Sequence, residues 1–327
     1  MSSDGGDWRP GTCVQRLRER AALLQRSRQF FAARAVTEVD TPVLVNSPVS
    51  DVHIHSAMVQ LGAEGAGASA SPLYLHTSPE YAMKRLLAAG SGDIYQICHV
   101  VRGNERGRLH NPEFTLIEWY RVGFSLQQLM DEVEALVRAL LGTRAPAASE
   151  RISYQDAFRR ELGLDPLTAS EEALAQAAQP LALDSGRLNR DEWLELLMGA
   201  LIGPRLGHRS LTFVLGYPAS QAALARLDPC DPRVAQRFEL YCAGVELANG
   251  FHELAAASEQ RARFEADNLQ RRRLGLPAFP PDERLLAALA AGLPDCAGVA
   301  LGFDRTLMLS VGAAHIEEVL PFPTARA

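Results

Sequence analysis

The chain has 327 residues, of which 47% are hydrophobic and 22% charged, with a formal net charge of −6. That length supports one large core or two modest ones, and the charge excludes a surface built as a whole to hold a nucleic-acid backbone, leaving only a local basic patch open. No apolar run approaches the ~20 residues that span a bilayer, and the opening MSSDGGDWRP lacks a signal pattern, so a cytoplasmic location without membrane association is expected.

Apolar residues at helical spacing (Val14, Leu17, Ala21, Leu24) predict an amphipathic helix over 14–35. A strand follows over 36–45, broken by Pro42, and strand-like segments at 52–61 and 73–76 flank a flexible Gly/Ala/Ser loop, Gly62 to Ser71. The sequence then predicts a helix over 80–87 and a hairpin of strands 94–101 and 114–120 with a long tip from Gly103 to Pro112. A helix over 126–141 comes next, and the Leu/Ala-rich stretch 145–207 is expected to be a helical insertion. Strands return at 211–215, 237–241, 245–248 and 298–302, and two helices bracket the Pro-rich segment 277–281. Strands and helices are segregated, so the expected class is α+β: an antiparallel sheet flanked by helices, in a single domain over 1–327.

Five scattered cysteines without a C-x-x-C speak against a disulfide framework or a structural zinc site. Lys84 is the only lysine; a codon preference for arginine explains it, and with no Gly-Lys-Ser/Thr a Walker phosphate loop is excluded. His252-Glu253 begins like H-E-x-x-H, but Ala256 stands where the second histidine is needed.

Four segments concentrate residues that carry chemistry. In RGNERGRLHNPEFTLIEWY, residues 102–120, Arg102 suits bidentate phosphate or carboxylate contacts, and Phe114, Glu118 and Tyr120 share one strand face beside a polar His110-Asn111-Pro112 turn. That is a grip for a triphosphate with an aromatic to stack on a purine; a solvated hairpin is the plainer alternative. In RFELYCAGVELANGFHEL, residues 237–254, a turn near Cys242-Ala243 is expected to set Glu239 roughly opposite Glu246. Like charges so placed are destabilising unless a cation such as Mg²⁺ lies between them. Asn249 and Glu253 flank Gly250, where backbone can approach a ligand closely. In GVALGFDR, residues 298–305, a glycine-interrupted strand delivers Arg305 at a helix start, and such glycines suggest that something packs against bare backbone. In HTSPEYAMKR, residues 76–85, Ser78-Pro79-Glu80 caps a helix, which explains Glu80 structurally without a functional role. His53 and His55 share a strand face as a surface feature, and Arg271 to Arg273 form either a solvated face or a docking patch for an acidic partner.

Together these segments resemble the class II aminoacyl-tRNA synthetases, the catalytic domain of lysyl-tRNA synthetase in particular. VTEVDTPVL is similar to motif 1, VRGNERGRLHNPEFTLIEWY to motif 2 and GVALGFDRTLML to motif 3. With motif 1 beginning at Val36, a counterpart of that synthetase's anticodon-binding domain is not expected, and the insertion is short. In this the chain resembles the truncated paralogues of the elongation factor P–(R)-β-lysine ligase family, which TSPEYAMKRLL, HNPEFTLIEWYR and GVELANGFHEL match closely.

The resemblance implies an ATP-dependent ligase that converts (R)-β-lysine, or lysine, to an aminoacyl-adenylate and passes it to a lysine of elongation factor P. It implies Arg102 and Arg305 as catalytic residues. An ATP site would comprise Arg102, Gly103, Asn104, Glu105, His110, Asn111, Phe114, Glu246, Leu247, Gly302 and Arg305, with Mg²⁺ on Glu239 and Glu246. The substrate would be held by Ser78, Pro79, Glu80, Tyr120, Asn249, Glu253 and Ala300, with Tyr120 and Glu253 on its side-chain ammonium. A homodimer pairing through motif 1 near Pro42 is implied, and tRNA is not the expected acceptor. The rival readings are a truncated synthetase acting on tRNA and a non-catalytic regulatory protein, the latter opposed by the presence of Arg102, Glu246 and Arg305.

Two departures stand out. Motif 2 commonly reads F-R-N-E, whereas Val101-Arg102-Gly103-Asn104 places Asn104 at the glutamate position, so either Glu105 substitutes or that contact is lost. In motif 3, Ala300 replaces a glycine; its methyl either favours a β-amino acid or shifts selectivity by only ~1–3 kcal/mol.

Overall fold

In the segment EFTLIEWYRV alternate side chains point to opposite faces, apolar Ile117 and Trp119 to one and Leu116, Glu118 and Tyr120 to the other. This division organises the molecule. The structure, a computed structural model, describes residues 8–60, 72–182 and 188–327. In chain order these form α1 (Val14–Ala32), β1 (Thr37–Glu38), β2 (Leu44–Val45), β3 (Met58–Val59), β4 (Leu73–Leu75), α2 (Glu80–Ala88), β5 (Ile94–Val101) and β6 (Glu113–Val122). Next come α3 (Leu126–Leu141), β7 (Ala148–Ser153), α4 (Tyr154–Leu162), α5 (Glu171–Ala177), α6 (Arg190–Leu197) and β8 (Ser210–Pro218). The chain ends with β9 (Val234–Cys242), β10 (Val245–His252), α7 (Ala257–Arg273), α8 (Glu283–Gly292), β11 (Cys296–Gly302) and α9 (Phe303–Val311). No helix among the described residues is long and apolar enough to cross a membrane.

Eight strands make one sheet in the order β1-β5-β6-β11-β10-β9-β8-β7, antiparallel except at its two edges, where β1 runs parallel to β5 and β7 parallel to β8. A small sheet, β2-β4-β3, stands apart. The fold is α+β. Three local expectations need correction. The strand expected over 36–45 divides around Pro42 into β1 and β2, which belong to different sheets, and the one at 52–61 shrinks to Met58–Val59. The loop at 62–71 lies outside the described residues. The stretch 145–207 is not wholly helical: β7 joins the sheet edge, and its half-exposed polar sequence ASERIS lacks the apolar alternation that would announce it.

One sheet face is covered. Ile117, Trp119, Val299, Leu301, Phe238 and Leu240 pack under α1, α3 and α9, against Phe31, Leu136, Val137 and Leu307. Each fully buried large apolar side chain contributes roughly 1.5–3 kcal/mol. Ser125 and Gln128 start α3 with a reciprocal capping box, and Trp119 Nε1 donates to Glu132 at 3.0 Å, so the buried indole is satisfied. The other face is covered only at its flanks. Met83 and Leu87 of α2, with Leu285 and Leu289 of α8, pack on Ile94, Tyr120 and Cys296. Tyr154 and Phe158 of α4 and Trp193 of α6 pack on Val214, Tyr217 and Tyr241. The middle of that face is left for polar side chains.

Candidate active site

Strand register sets the site as rows across the sheet. One row runs Gln96, Glu118, Ala300, Asn249, Glu239, and the next runs Ile94, Tyr120, Gly298, Phe251, Arg237. Residues from four sequence-distant segments thereby become neighbours on one surface.

Toward the hairpin tip this surface opens into a cleft with a cavity volume of about 100 Å³. Arg102, Glu105, His110, Asn111, Phe114, Glu246, Leu247, Gly302 and Arg305 line it, with Asn249 and Ala300. Gly103 and Asn104 do not. Gly103 donates its N–H to the His55 carbonyl at 2.8 Å and Asn104 is exposed, so Glu105 is the member of the motif 2 tip that faces the cleft.

The two arginines differ in how they are held. Arg305 is tied down: Nε donates to Leu109 O at 3.2 Å, Nη1 to Glu246 O at 3.0 Å and Nη2 to His110 Nε2 at 2.6 Å. An arginine has no acceptor, so His110 Nε2 is the unprotonated nitrogen. Burial and then the Arg305 charge hold this imidazole below its usual pKa, consistent with a neutral ring. Arg102 is held loosely, donating to Thr77 O at 3.3 Å and Glu105 Oε1 at 3.4 Å, with its guanidinium 5.2 Å from the Phe114 ring. Asn111 lines the cleft, but its amide fixes the turn: Nδ2 donates to Glu113 O at 2.6 Å and Oδ1 accepts from Thr324 N at 3.1 Å.

The acidic hairpin departs from expectation. A register shift between Glu246 and Ala248 pairs Glu246 with Tyr241 and Glu239 with Asn249, so the two glutamates are diagonal rather than opposite. Repulsion is already relieved by a built-in cation, since Arg237 Nη2 donates to Glu239 Oε1 at 2.6 Å and Tyr241 OH donates to Oε2 at 2.7 Å. Each oxygen keeps a lone pair. Glu246, its side chain 38% exposed, faces the cleft with Arg305 Nη1 at 3.4 Å; burial and Glu239 push its pKa up. Among the described residues no three His, Cys, Asp or Glu side chains converge as a metal cage. Two carboxylates are a donor set that Mg²⁺ accepts when phosphates supply the rest.

Away from the tip, beneath α2, the same face carries a buried acidic cluster. Glu118 accepts from Ser78 Oγ at 2.7 Å and from Tyr120 OH at 2.8 Å, while Ser78 Oγ also accepts the Glu80 N–H at 3.0 Å. Ser78 therefore caps α2, and Pro79 occupies the N-cap position. Burial, followed by Glu80, pushes Glu118 up to about 7. Burial pushes Glu253 up to about 8 against the opposing pull of Lys84. Such carboxylates await cations. Affinity for a ligand bearing ammonium groups is expected to rise as pH climbs through about 7 and about 8, because ionised carboxylates attract the cation and protonated ones do not. It falls again as the ligand's amines deprotonate, the backbone amine before the side-chain amine at ~10.4. Calorimetric titration with lysine between pH 6 and 9 reads this, and a flat profile removes these carboxylates from the binding site.

Two glycines acquire reasons. A Cβ on Gly298 would lie 2.3 Å from Tyr120 Cε1 and 2.6 Å from Glu253 Oε1, so bare backbone makes room for the acidic cluster. Gly298→Ala is expected to raise KM for the amino acid and to cost ~1–3 kcal/mol of stability; an unchanged KM contradicts the placement. Gly250 was expected to admit a ligand, but a Cβ there would lie 2.5 Å from Phe238 Cζ, and a core ring takes the space.

Other expectations dissolve. His53 and His55 lie outside any strand, and His53 meets Glu195 at 3.4 Å. Arg271 is buried, donating to Pro277 O at 2.7 Å and Asp51 O at 2.9 Å, which makes it a staple rather than part of a docking patch. Sequence reasoning missed Lys84, Glu118 and Arg237 as site residues. The i, i+4 spacing of Glu80 and Lys84 was a readable signal for the first.

Comparison with known proteins adds the following. The family model of tRNA synthetases class II (D, K and N) matches residues 7–326. The chain is similar to the elongation factor P–(R)-β-lysine ligase of Vibrio cholerae, 49% identical over 324 residues covering 98% of this chain and 99% of that one. The same-named proteins of Proteus mirabilis and Hamiltonella defensa are 49% and 48% identical over 328 residues, covering 99% of this chain and all of theirs.

Proposed function

Because the chain belongs to the class II tRNA synthetases of the D, K and N group, among the elongation factor P–(R)-β-lysine ligases, we propose that it activates (R)-β-lysine or lysine with ATP and transfers the acyl group to a lysine of elongation factor P. The observation that carries the amino-acid class is the buried cluster of Glu80, Glu118 and Glu253 beneath α2, with Glu118 in the register row whose Ala300 and Asn249 line the arginine-bearing cleft.

In the first step a substrate carboxylate oxygen attacks the α-phosphorus. An acyl–phosphate bond forms, the bond to the β-phosphate breaks, and pyrophosphate leaves. The protein supplies no nucleophile. Loosely held Arg102 exchanges its long contacts for the α-phosphate and the attacking carboxylate, and Arg305 meets the γ-phosphate. Phe114 stacks on the base. Mg²⁺ arriving with ATP would be held by Glu246 and Glu239 and would add positive charge against the phosphates. Glu253 and Tyr120 take the side-chain ammonium, while Glu80 and Asn249 position the other amine and the carboxylate. Orientation of this kind is worth up to ~7–11 kcal/mol. In the second step the acceptor ε-amine attacks the acyl carbon and AMP leaves.

ATP–pyrophosphate exchange with (R)-β-lysine and lysine, followed by labelled transfer to elongation factor P or to tRNA, tests this reading. Absence of exchange with any diamino acid overturns the activation step, and transfer to tRNA overturns the acceptor. Residues 1–327 act as one catalytic unit carrying the insertion at 145–207. Two copies pair near Pro42, where Val43, Leu44 and Met58 are exposed; gel filtration is expected to give about twice 35.6 kDa, and the single-chain mass removes the dimer.

A further inference from the structure

The chain's one lysine is not a surface residue. Lys84 lies in α2 with its side chain 1% exposed, Nζ 2.7 Å from Glu80 Oε1 and 2.6 Å from Glu253 Oε2. Helical spacing places Glu80 beneath it. Glu253 arrives from just beyond β10, its N–H donating to Cys296 O at 3.0 Å. A buried ammonium is costly unless paired; burial alone would depress Lys84, but Glu253 and Glu80 outweigh it and hold it above its usual range.

At these distances both contacts are charge-assisted hydrogen bonds from the ammonium to a carboxylate oxygen. Lys84 thus takes one oxygen from each carboxylate. The second oxygen of Glu253, Oε1, is buried and fills, with the Tyr120 ring, the room that the missing side chain of Gly298 leaves. The charge count is then informative. Three carboxyl groups, Glu80, Glu118 and Glu253, face a single ammonium, so full ionisation leaves two negative charges unmatched; burial pushes Glu118 up to about 7 and Glu253 up to about 8, and a further cation favours their ionised forms. The titratable groups around them are Tyr81 and Lys84 on α2, Cys98 on β5, Tyr120 on β6 and Cys296 on β11. Tyr81 and Tyr120 are held well above their usual value and Cys98 and Cys296 are pushed up to about 12, burial leading in each, so none of these four adds charge at neutral pH.

We propose that Lys84 is a positioning and specificity-determining residue whose ammonium clamps one oxygen each of Glu80 and Glu253, leaving a pocket matched to an amino acid with two ammonium groups. The inference rests on the proposed activation of a diamino acid and assigns the residue that sets its charge requirement. A single-amine analogue such as norleucine leaves one carboxylate uncompensated and is rejected. Lys84 also keeps Glu253 and Glu118 more acidic than burial alone would allow. Its removal therefore raises the pH at which the pocket ionises.

The test is Lys84→Met, measured by ATP–pyrophosphate exchange from pH 6 to 10 with lysine as variable substrate. The expected result is a lysine KM raised roughly a hundredfold near pH 7.5, partial recovery at higher pH, a pH midpoint at least one unit higher and unchanged ATP affinity. Lys84→Arg, which keeps the charge, is expected to hold the wild-type midpoint, and it serves should the methionine variant not fold. An unchanged midpoint in Lys84→Met, or an equal displacement in Lys84→Arg, overturns the assignment. Absence of exchange in the wild-type enzyme would overturn the proposed function instead, so the two failures are distinguishable.

Discussion

Arg102→Ala is expected to lower ATP–pyrophosphate exchange by roughly a thousandfold or more while leaving the melting temperature within about two degrees of the parent, because a charge-stabilising donor at a reacting phosphate contributes on that scale. The combination follows from geometry. Contacts of 3.3 and 3.4 Å to Thr77 and Glu105 are long for arginine, so the folded state loses little with them. The transition state loses a planar fork able to bridge two oxygens of the α-phosphate and the attacking carboxylate. Lysine, a point charge without that fork, is expected to restore only a small part of the rate. Exchange kinetics alongside thermal melts decide the matter; a loss below tenfold places Arg102 outside the chemistry.

The second large effect separates the halves of the site. Glu253→Gln keeps the shape of a fully buried side chain and removes its charge. Exchange with lysine is expected to fall by roughly a thousandfold, the cost of leaving a desolvated ammonium without its partner. ATP affinity should change by less than about twofold, because Glu253 does not line the nucleotide cleft. Lys84 keeps Glu80 as a partner, so the variant is expected to fold. Calorimetry with ATP and exchange with lysine read the two halves independently, and unchanged exchange would remove Glu253 from the ammonium site.

How far the site was legible depended on whether its signals were local. Strands β5 and β6 and helix α3 could be placed because alternation and capping residues sit within short windows. The face shared by Phe114, Glu118 and Tyr120 follows from a period of two. Lys84 was readable only as an oddity of composition, since one of its partners lies 169 positions along the chain and only the fold brings it close. The diagonal placement of Glu239 and Glu246 depends on a register shift that no pairing rule announces in advance. Strand β7 was missed because an edge strand with solvent on one side carries no apolar periodicity. Gly250 was misread because a glycine tells that space is needed without telling what fills it.

Burial of the sole lysine has a consequence for the chemistry the protein handles. An acyl-adenylate is a reactive electrophile, and exposed lysine ε-amines are the nucleophiles it is made to meet. Here the only such amine in the chain is sequestered under α2 and held protonated between two carboxylates. An activated acyl group that escapes the site therefore finds no competing ε-amine on its own maker, and prolonged turnover leaves the enzyme's side-chain amines unlabelled.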